Sequence, residues 1–378
     1  MDAIHPNLTH GTSLKDLDAA IDALAASVDG ASDDEVMVGV MRIAAMVSAD
    51  GRDGHTGVFV WGTGGYPVES LPLRLWLFED EVVIVDALPP YEDLVDATVV
   101  SIQGRPIADV LTAVDPLIPR DNDQTVRLLA PRFLLIPEVL RGLGIGGDGP
   151  IALGVTLPSR AADVRLVEPI PIAEYNGWAG PYGLHLPTDA GVLSLANMDE
   201  ALWWDVLPDT RTLYVQYNRV EPQPPAVLDA LGTALGDPAI EGVVLDVRHN
   251  YGGDVGALDA IQGLISSAAA ALPREVFVIT GRNTFSAASL LVARLDAEAD
   301  VTIVGEAMGG APTSYGDPSE LRLSYSQLVV TVSGLLEVGV DKDDPRLTIE
   351  PDEPATLTHE AWRDRIDPAL ERVIVVAP

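Results

Sequence analysis

In the stretch VFVITGRNTFSAASLLVARL, residues 276–295, a β-branched apolar run passes through a polar turn into a helical pattern, and Ser286 stands where the helix should begin. In parallel α/β sheets, ligands gather at the carboxyl ends of strands, where this turn lies. A serine in a first helical turn is surrounded by N–H groups that lack intrahelical partners. Those donors and the helix dipole can stabilise a developing oxyanion. The N–H of Ala287 is the natural first donor, and the small side chains of Ala287, Ala288 and Ser289 would let a substrate carbonyl approach. The same position is also that of an ordinary N-cap, so the local pattern leaves nucleophile and cap both open. A matching feature precedes it: LDVRHNYGGD ends another strand in a turn holding Gly252 and Gly253. Glycines can take unusual dihedrals and bring backbone close to a ligand. One of these two could supply a second oxyanion donor, or the pair could simply turn the chain. His55, in DGRDGHTG, is either a general base or a loop histidine, and His249 beside the glycine turn reads as structural.

The elements that would position these residues are legible in outline. From about residue 190, strand and helix patterns alternate: RTLYVQYNRV, PPAVLDALGTALG, IEGVVLDVRHN, DVGALDAIQGLISSAAAAL, REVFVIT, SAASLLVARLDA, DVTIVGE. Apolar strands separated by helices predict a parallel sheet covered by helices. LRLSYSQLVVTVSGLLEV then supplies two alternating strands. Residues 13–49 predict two helices; Leu14, Leu17, Ile21 and Leu24 recur at the amphipathic period, and Ser13 can cap the first. Residues 72–168 predict a small β-rich unit: an alternating run, a turn and a β-branched run, then a strand, a turn and a short helix, then a hairpin; the Pro/Gly-rich EPIPIAEYNGWAGPYGLHLP predicts a linker or seam. Three parts follow: a helical region at 1–71 carrying the His55 loop, the β-rich unit at 72–168, and an α/β domain at 169–378.

Composition narrows the chemistry. The 378-residue chain has no cysteine, which excludes thiol catalysis, disulfides and thiolate metal sites. Its formal charge of −34 argues against nucleic acid and anionic membranes, which need a basic face. The six histidines are scattered and no HExxH pattern occurs, so neither metal nor cofactor is expected. No apolar run reaches the ~18 residues of a membrane span. The N-terminus lacks the pattern of a signal peptide, so a cytoplasmic location is expected of the chain as written, with export left open for a trimmed one.

Taken in order, VVLDVRHNYGGD, VFVITGRNTFSAASLL and VTIVGEAMGGAPTSYGD resemble the core of the carboxy-terminal-processing (tail-specific) serine peptidases, nearest to their lysine-independent, tricorn-like branch, which also holds the retinoid-binding-protein repeats of the retina. HPNLTH, RIAAMVSADGRDGHTG, DATVVSIQGRPIADVL and RTLYVQYNRV extend the resemblance over nearly the whole chain. It implies a crotonase-like α/β core, a helical N-terminal region and a PDZ-like module at residues 72–168 of the kind that binds a peptide as an added strand. The Ser–Lys branch places its lysine about where Ala311 stands, and the chain has only Lys15 and Lys342. The histidine-using branch takes its base from the segment that His55 occupies. The resemblance therefore implies Ser286 as nucleophile, His55 as base, and oxyanion donors among Gly252, Gly253 and Ala287. The tricorn-like pattern has a serine before the histidine where this chain has Gly54, and completes the set with an acid near the C-terminus. Asp317, Asp344 and Glu350 are the candidates for that acid, and Glu306 reads as structural.

The expected reaction is peptide hydrolysis. His55 takes the Ser286 proton as Oγ attacks, an acyl-enzyme forms, and water releases it through the same base. Two rivals share the fold: an inactive ligand- or peptide-binding protein, and an esterase or acyltransferase using the same serine. The partner is then a peptide or small acyl substrate, and a homo-oligomer is allowed for.

Overall fold

A computed structural model describes the chain except for residues 63–65, 181–183, 208–209, 272–274 and 377–378. The fold is mixed α/β. It divides into two compact units, residues 1–187 with 315–336, and residues 188–314 with 337–378. The expected boundaries after residues 71 and 168 both fall inside the first unit.

The first unit is built on an antiparallel sheet with strands Leu73–Phe78, Glu81–Ala87, Thr98–Ile102, Ile151–Thr156 and Ala162–Val167 in that spatial order, and Arg105–Pro106 paired to the third. The alternation of apolar residues and the short turns give these hairpins directly. The N-terminal helices Leu14–Ser27 and Asp33–Ala45 form as the sequence predicts. Ser13 accepts a bond from the Asp16 N–H, and Ser32 and Glu35 complete a capping box. Two helices not anticipated from the sequence, Asp123–Phe133 and Pro137–Gly142, also belong to this unit. Asp33–Ala45 packs on Pro137–Gly142, and Asp123–Phe133 packs on Leu73–Phe78. The expected linker also holds a helix, Ile172–Ala179, on which Tyr175 is fully buried; residues 181–183 of that stretch lie outside the described residues. The late hairpin, Thr313–Arg322 with Val329–Val338, contributes residues 315–336 to this unit. It bridges to the His55 loop, where Gly57 and Thr331 exchange backbone hydrogen bonds of 3.1 and 2.9 Å.

The second unit carries the expected parallel sheet. Its order is Glu353–Pro354, Thr302–Gly305, Glu275–Thr280, Gly242–Asp246, Thr212–Tyr217, Leu202–Leu207, parallel throughout except for the last strand. Alternate residues face opposite sides. Val215, Val243, Leu245, Val278 and Ile303 pack on the helices Pro225–Leu235, Leu258–Ala270 and Ala287–Glu298. Tyr214, Val244, Phe277 and Val304 pack on Ala369 and Val373 of the helix Pro368–Val376. Covered on both faces, the strands read as near-continuous apolar runs. Among the described residues, no helix is long and apolar enough to cross a membrane.

Candidate active site

Two neighbouring parallel strands, Gly242–Asp246 and Glu275–Thr280, deliver the glycine turn and the Ser286 turn to the same end of the sheet. Their loops are tied to each other and to the chain around them. The Thr284 hydroxyl donates to the Val247 carbonyl at 2.9 Å, and the Phe285 N–H donates to the Asn250 carbonyl at 3.0 Å. Asn250 Nδ2 donates to the Tyr217 carbonyl at 2.7 Å, and its Oδ1 accepts from the Gly252 N–H at 2.8 Å. From behind, the Gly310 N–H and the Ser289 hydroxyl both donate to the Thr284 carbonyl, at 3.0 and 3.1 Å. Glu306 accepts from Arg282 Nε at 3.2 Å and from the Leu357 N–H at 3.2 Å, a structural use of that carboxylate.

Ser286 stands at the N-cap position of the helix Ala287–Glu298, with φ 55° and ψ −130° and no side-chain capping bond. A capping serine takes extended dihedrals and turns its hydroxyl back onto the helix. This serine does neither, and its positive φ is strained for a residue with a Cβ. Gly252 lies directly against it: a Cβ on Gly252 would stand 2.7 Å from the Ser286 Cβ and 2.8 Å from the Ala287 nitrogen. Gly252 (φ 98°) and Gly253 (φ 140°) both have dihedrals that side-chain-bearing residues avoid. The Gly252 N–H is engaged by Asn250. Gly253 pairs with Val220 in an isolated parallel bridge whose two hydrogen bonds use the Gly252 carbonyl and the Asp254 N–H, so its own N–H takes no part in that ladder. Arg248 fixes the base of the turn, reaching Asp246 at 2.8 Å and Asp367 at 2.7 Å. His249, beside it, is buried; burial and then the Arg248 charge push its imidazole down to about 3, so it stays neutral and structural.

His55, half-buried, belongs to the first unit. Its Nδ1 lies 2.9 Å from the Tyr315 carbonyl oxygen. A carbonyl only accepts, so Nδ1 carries a proton; in the neutral ring Nε2 then holds the lone pair that a base needs. The loop is wound around Asp53, which is fully buried. Its Oδ1 accepts from the Ser333 hydroxyl at 2.6 Å, the Thr56 N–H at 2.9 Å and the His55 N–H at 3.3 Å; its Oδ2 lies 3.0 Å from His5 Nε2. Burial pushes the Asp53 carboxyl up, but the contacts with His10, His5, Ser333 and Thr56 outweigh it and hold the group well below the usual carboxylate range. His10 completes this cluster, 3.8 Å from Asp53 Oδ2 and 2.8 Å from Asp50. The sequence shows the histidines as scattered; the fold gathers His5, His10 and Asp53 within 4.8 Å of one another. The signal available was HPNLTH itself, two histidines five residues apart in a segment with no helical or strand pattern.

The three candidate acids stand as follows. Asp317 is exposed on the Thr313–Arg322 strand, with φ 51°. Asp344 is buried and committed to Arg346, whose Nη2 and Nε reach it at 2.9 and 3.1 Å. Glu350 is exposed. Of the lysines, Lys342 is exposed beside Asp343, and Lys15 lies on the exposed side of its helix; Ala311, where the Ser–Lys branch has its lysine, is fully buried.

No protein-family model and no curated protein matches the sequence. The solved structures supply the likeness. Mature CPAF complexed with lactacystin is similar at 13% identity and a TM-score of 0.64, over 99% of this chain and 94% of that one. A CPAF point mutant is similar at 11% identity and a TM-score of 0.65, over 99% and 95%. The photosystem II D1 C-terminal processing protease is similar at 15% identity and a TM-score of 0.40, over 97% and 98%. At the identities of the CPAF chains the likeness is one of fold, and it spans almost the entire chain.

Proposed function

We propose that the chain is a serine peptidase of the carboxy-terminal-processing kind, in its lysine-independent branch, with a Ser286 acyl-enzyme and His55 as general base. The observation that carries this reading is the Ser286 backbone. At φ 55° and ψ −130°, a serine that does not cap its helix holds a strained strand-to-helix turn against a glycine with no Cβ. Strain of this kind costs about 1–3 kcal/mol and persists where the surrounding structure over-determines it, which is the habit of nucleophile turns. The sequence resemblance and the CPAF fold support the same assignment.

In the proposed reaction, Ser286 Oγ attacks the scissile carbonyl while His55 Nε2 takes its proton. The Ala287 and Gly253 N–H groups stabilise the oxyanion. His55 then protonates the leaving amine, and water enters through the same base. The Tyr315 carbonyl supplies the orienting part of the acid's role, since it already accepts the Nδ1–H hydrogen bond. In this reading residues 169–378 form the crotonase-like core and residues 72–168 the PDZ-like module. The supports are a parallel sheet covered on both faces and an antiparallel sheet of hairpins with a short helix.

The test is to incubate the protein with a fluorophosphonate, and separately with lactacystin, which CPAF holds in one of its structures. Intact mass is then read for the wild type, Ser286→Ala and His55→Ala. One adduct on the wild type, absent from both variants, is expected. An adduct that survives in Ser286→Ala, or none on folded wild-type protein across mildly acidic to mildly basic pH, overturns the reading.

A further inference from the structure

The segment His5–His10 is not used by the reaction above, yet its side chains grip the two groups that hold His55. We infer that this N-terminal segment is a positioning clamp for the His55 imidazole, acting through the Asp53 carboxylate beneath the loop and the Tyr315 ring beside it. The inference rests on the reading of His55 as base.

All of its parts lie in the first unit. His5 is buried and its orientation is fixed: the Asn7 N–H donates to Nδ1 at 3.0 Å, so the ring proton is on Nε2, which donates to Asp53 Oδ2 at 3.0 Å. That bond orients the carboxylate whose other oxygen accepts from the N–H groups of His55 and Thr56. The same segment holds Tyr315. The His5 and His10 rings lie 4.7 and 4.5 Å from its ring, and Asn7 Nδ2 donates to its hydroxyl at 3.2 Å. The Tyr315 N–H donates to the Arg52 carbonyl at 2.7 Å, and its own carbonyl receives His55 Nδ1. Backbone and ring direction at His55 are thus set from two sides by one short segment. The spacing of His5, His10 and Asp53 would also suit an ion, but the hydrogen bonding opposes it. With Nδ1 of His5 accepting from Asn7, Nε2 carries the proton and has no lone pair to offer.

The experiment compares the rate of fluorophosphonate labelling at Ser286 in the wild type, His5→Leu, His5→Gln and Tyr315→Leu, with the melting temperature of each. Glutamine can place an amide N–H near the position of His5 Nε2; leucine cannot. Misplacement of a catalytic group by about 1 Å costs on the order of a hundredfold. His5→Leu is expected to label at least about tenfold more slowly, with His5→Gln restored to within a few-fold of wild type. Tyr315→Leu, which keeps the carbonyl but removes the gripped ring, should slow labelling as His5→Leu does, and decides the matter if His5→Leu fails to fold. Labelling of folded His5→Leu at the wild-type rate overturns the clamp alone, as do equal rates and equal melting losses in the leucine and glutamine variants. A folded wild type that never labels removes the reading of Ser286 and His55, and the clamp with it.

Discussion

At the scale of single residues, the proposed chemistry turns on one backbone conformation. Ser286 carries φ 55°, which glycine adopts without strain. Ser286→Gly should therefore raise stability by about 1 kcal/mol, read by chemical denaturation, while abolishing labelling. Ser286→Ala should lower turnover by at least about a thousandfold with little change in melting temperature; a variant that keeps turnover would return the serine to a structural role. His249 gives a second prediction, for stability and not for rate. Its folded value is about 3, against an ordinary value of about 6.5. The unfolded chain therefore binds the proton more readily. The stability due to a neutral His249 is full above about pH 6.5 and is lost on acidification from there towards the folded value. The slope can reach about 1.4 kcal/mol per pH unit, and between about pH 6.5 and 5.5 most carboxylates stay ionised. Denaturation curves across that window should show a steeper loss for the wild type than for His249→Gln. Equal slopes would place the imidazole in a wetter site than the fold gives it.

At the scale of elements, the glycine turn and the serine turn are tied together by hydrogen bonds between their loops at one end of the parallel sheet. Gly252 is where the glycine turn lies against Ser286. Gly252→Ala would set a methyl 2.7 Å from the Ser286 Cβ at a φ of 98°. The expected outcome is a stability loss of about 1–3 kcal/mol together with strongly reduced labelling. Gly263, inside the helix Leu258–Ala270, is the contrasting case, since a Cβ there meets nothing within 4 Å. Gly263→Ala should stabilise by about 0.5–1 kcal/mol and leave labelling unchanged. If the two substitutions behave alike, the close packing at Ser286 is not what makes Gly252 necessary.

At the scale of the whole molecule, a formal charge of −34 makes the folded chain repel itself. Raising salt to about 1 M, where the screening length is about 3 Å, should raise the melting temperature; a flat or falling response would mean that the local ion pairs outweigh the net charge. Much of the architecture was legible without coordinates. Period and punctuation gave the parallel strands, their helices, the hairpins and the two N-terminal helices, because each follows from local burial and local backbone preference. The placing of a serine and two glycines at the carboxyl ends of neighbouring strands was legible too, since parallel topology dictates where those turns fall. What the linear chain did not display depends on contacts between residues far apart in it. The helices Asp123–Phe133 and Pro137–Gly142 draw the helical region and the antiparallel sheet into one unit, which only packing reveals. Whether Ser286 caps its helix is decided by a dihedral that neighbouring loops impose. The group that meets His55 Nδ1 is a main-chain carbonyl at Tyr315, 260 residues away, and a backbone oxygen leaves no mark in a sequence. Asp53, His5 and His10 looked unremarkable one by one; it took the fold to bury them together, and burial is what gives a hydrogen-bonded carboxylate the leverage to hold a loop.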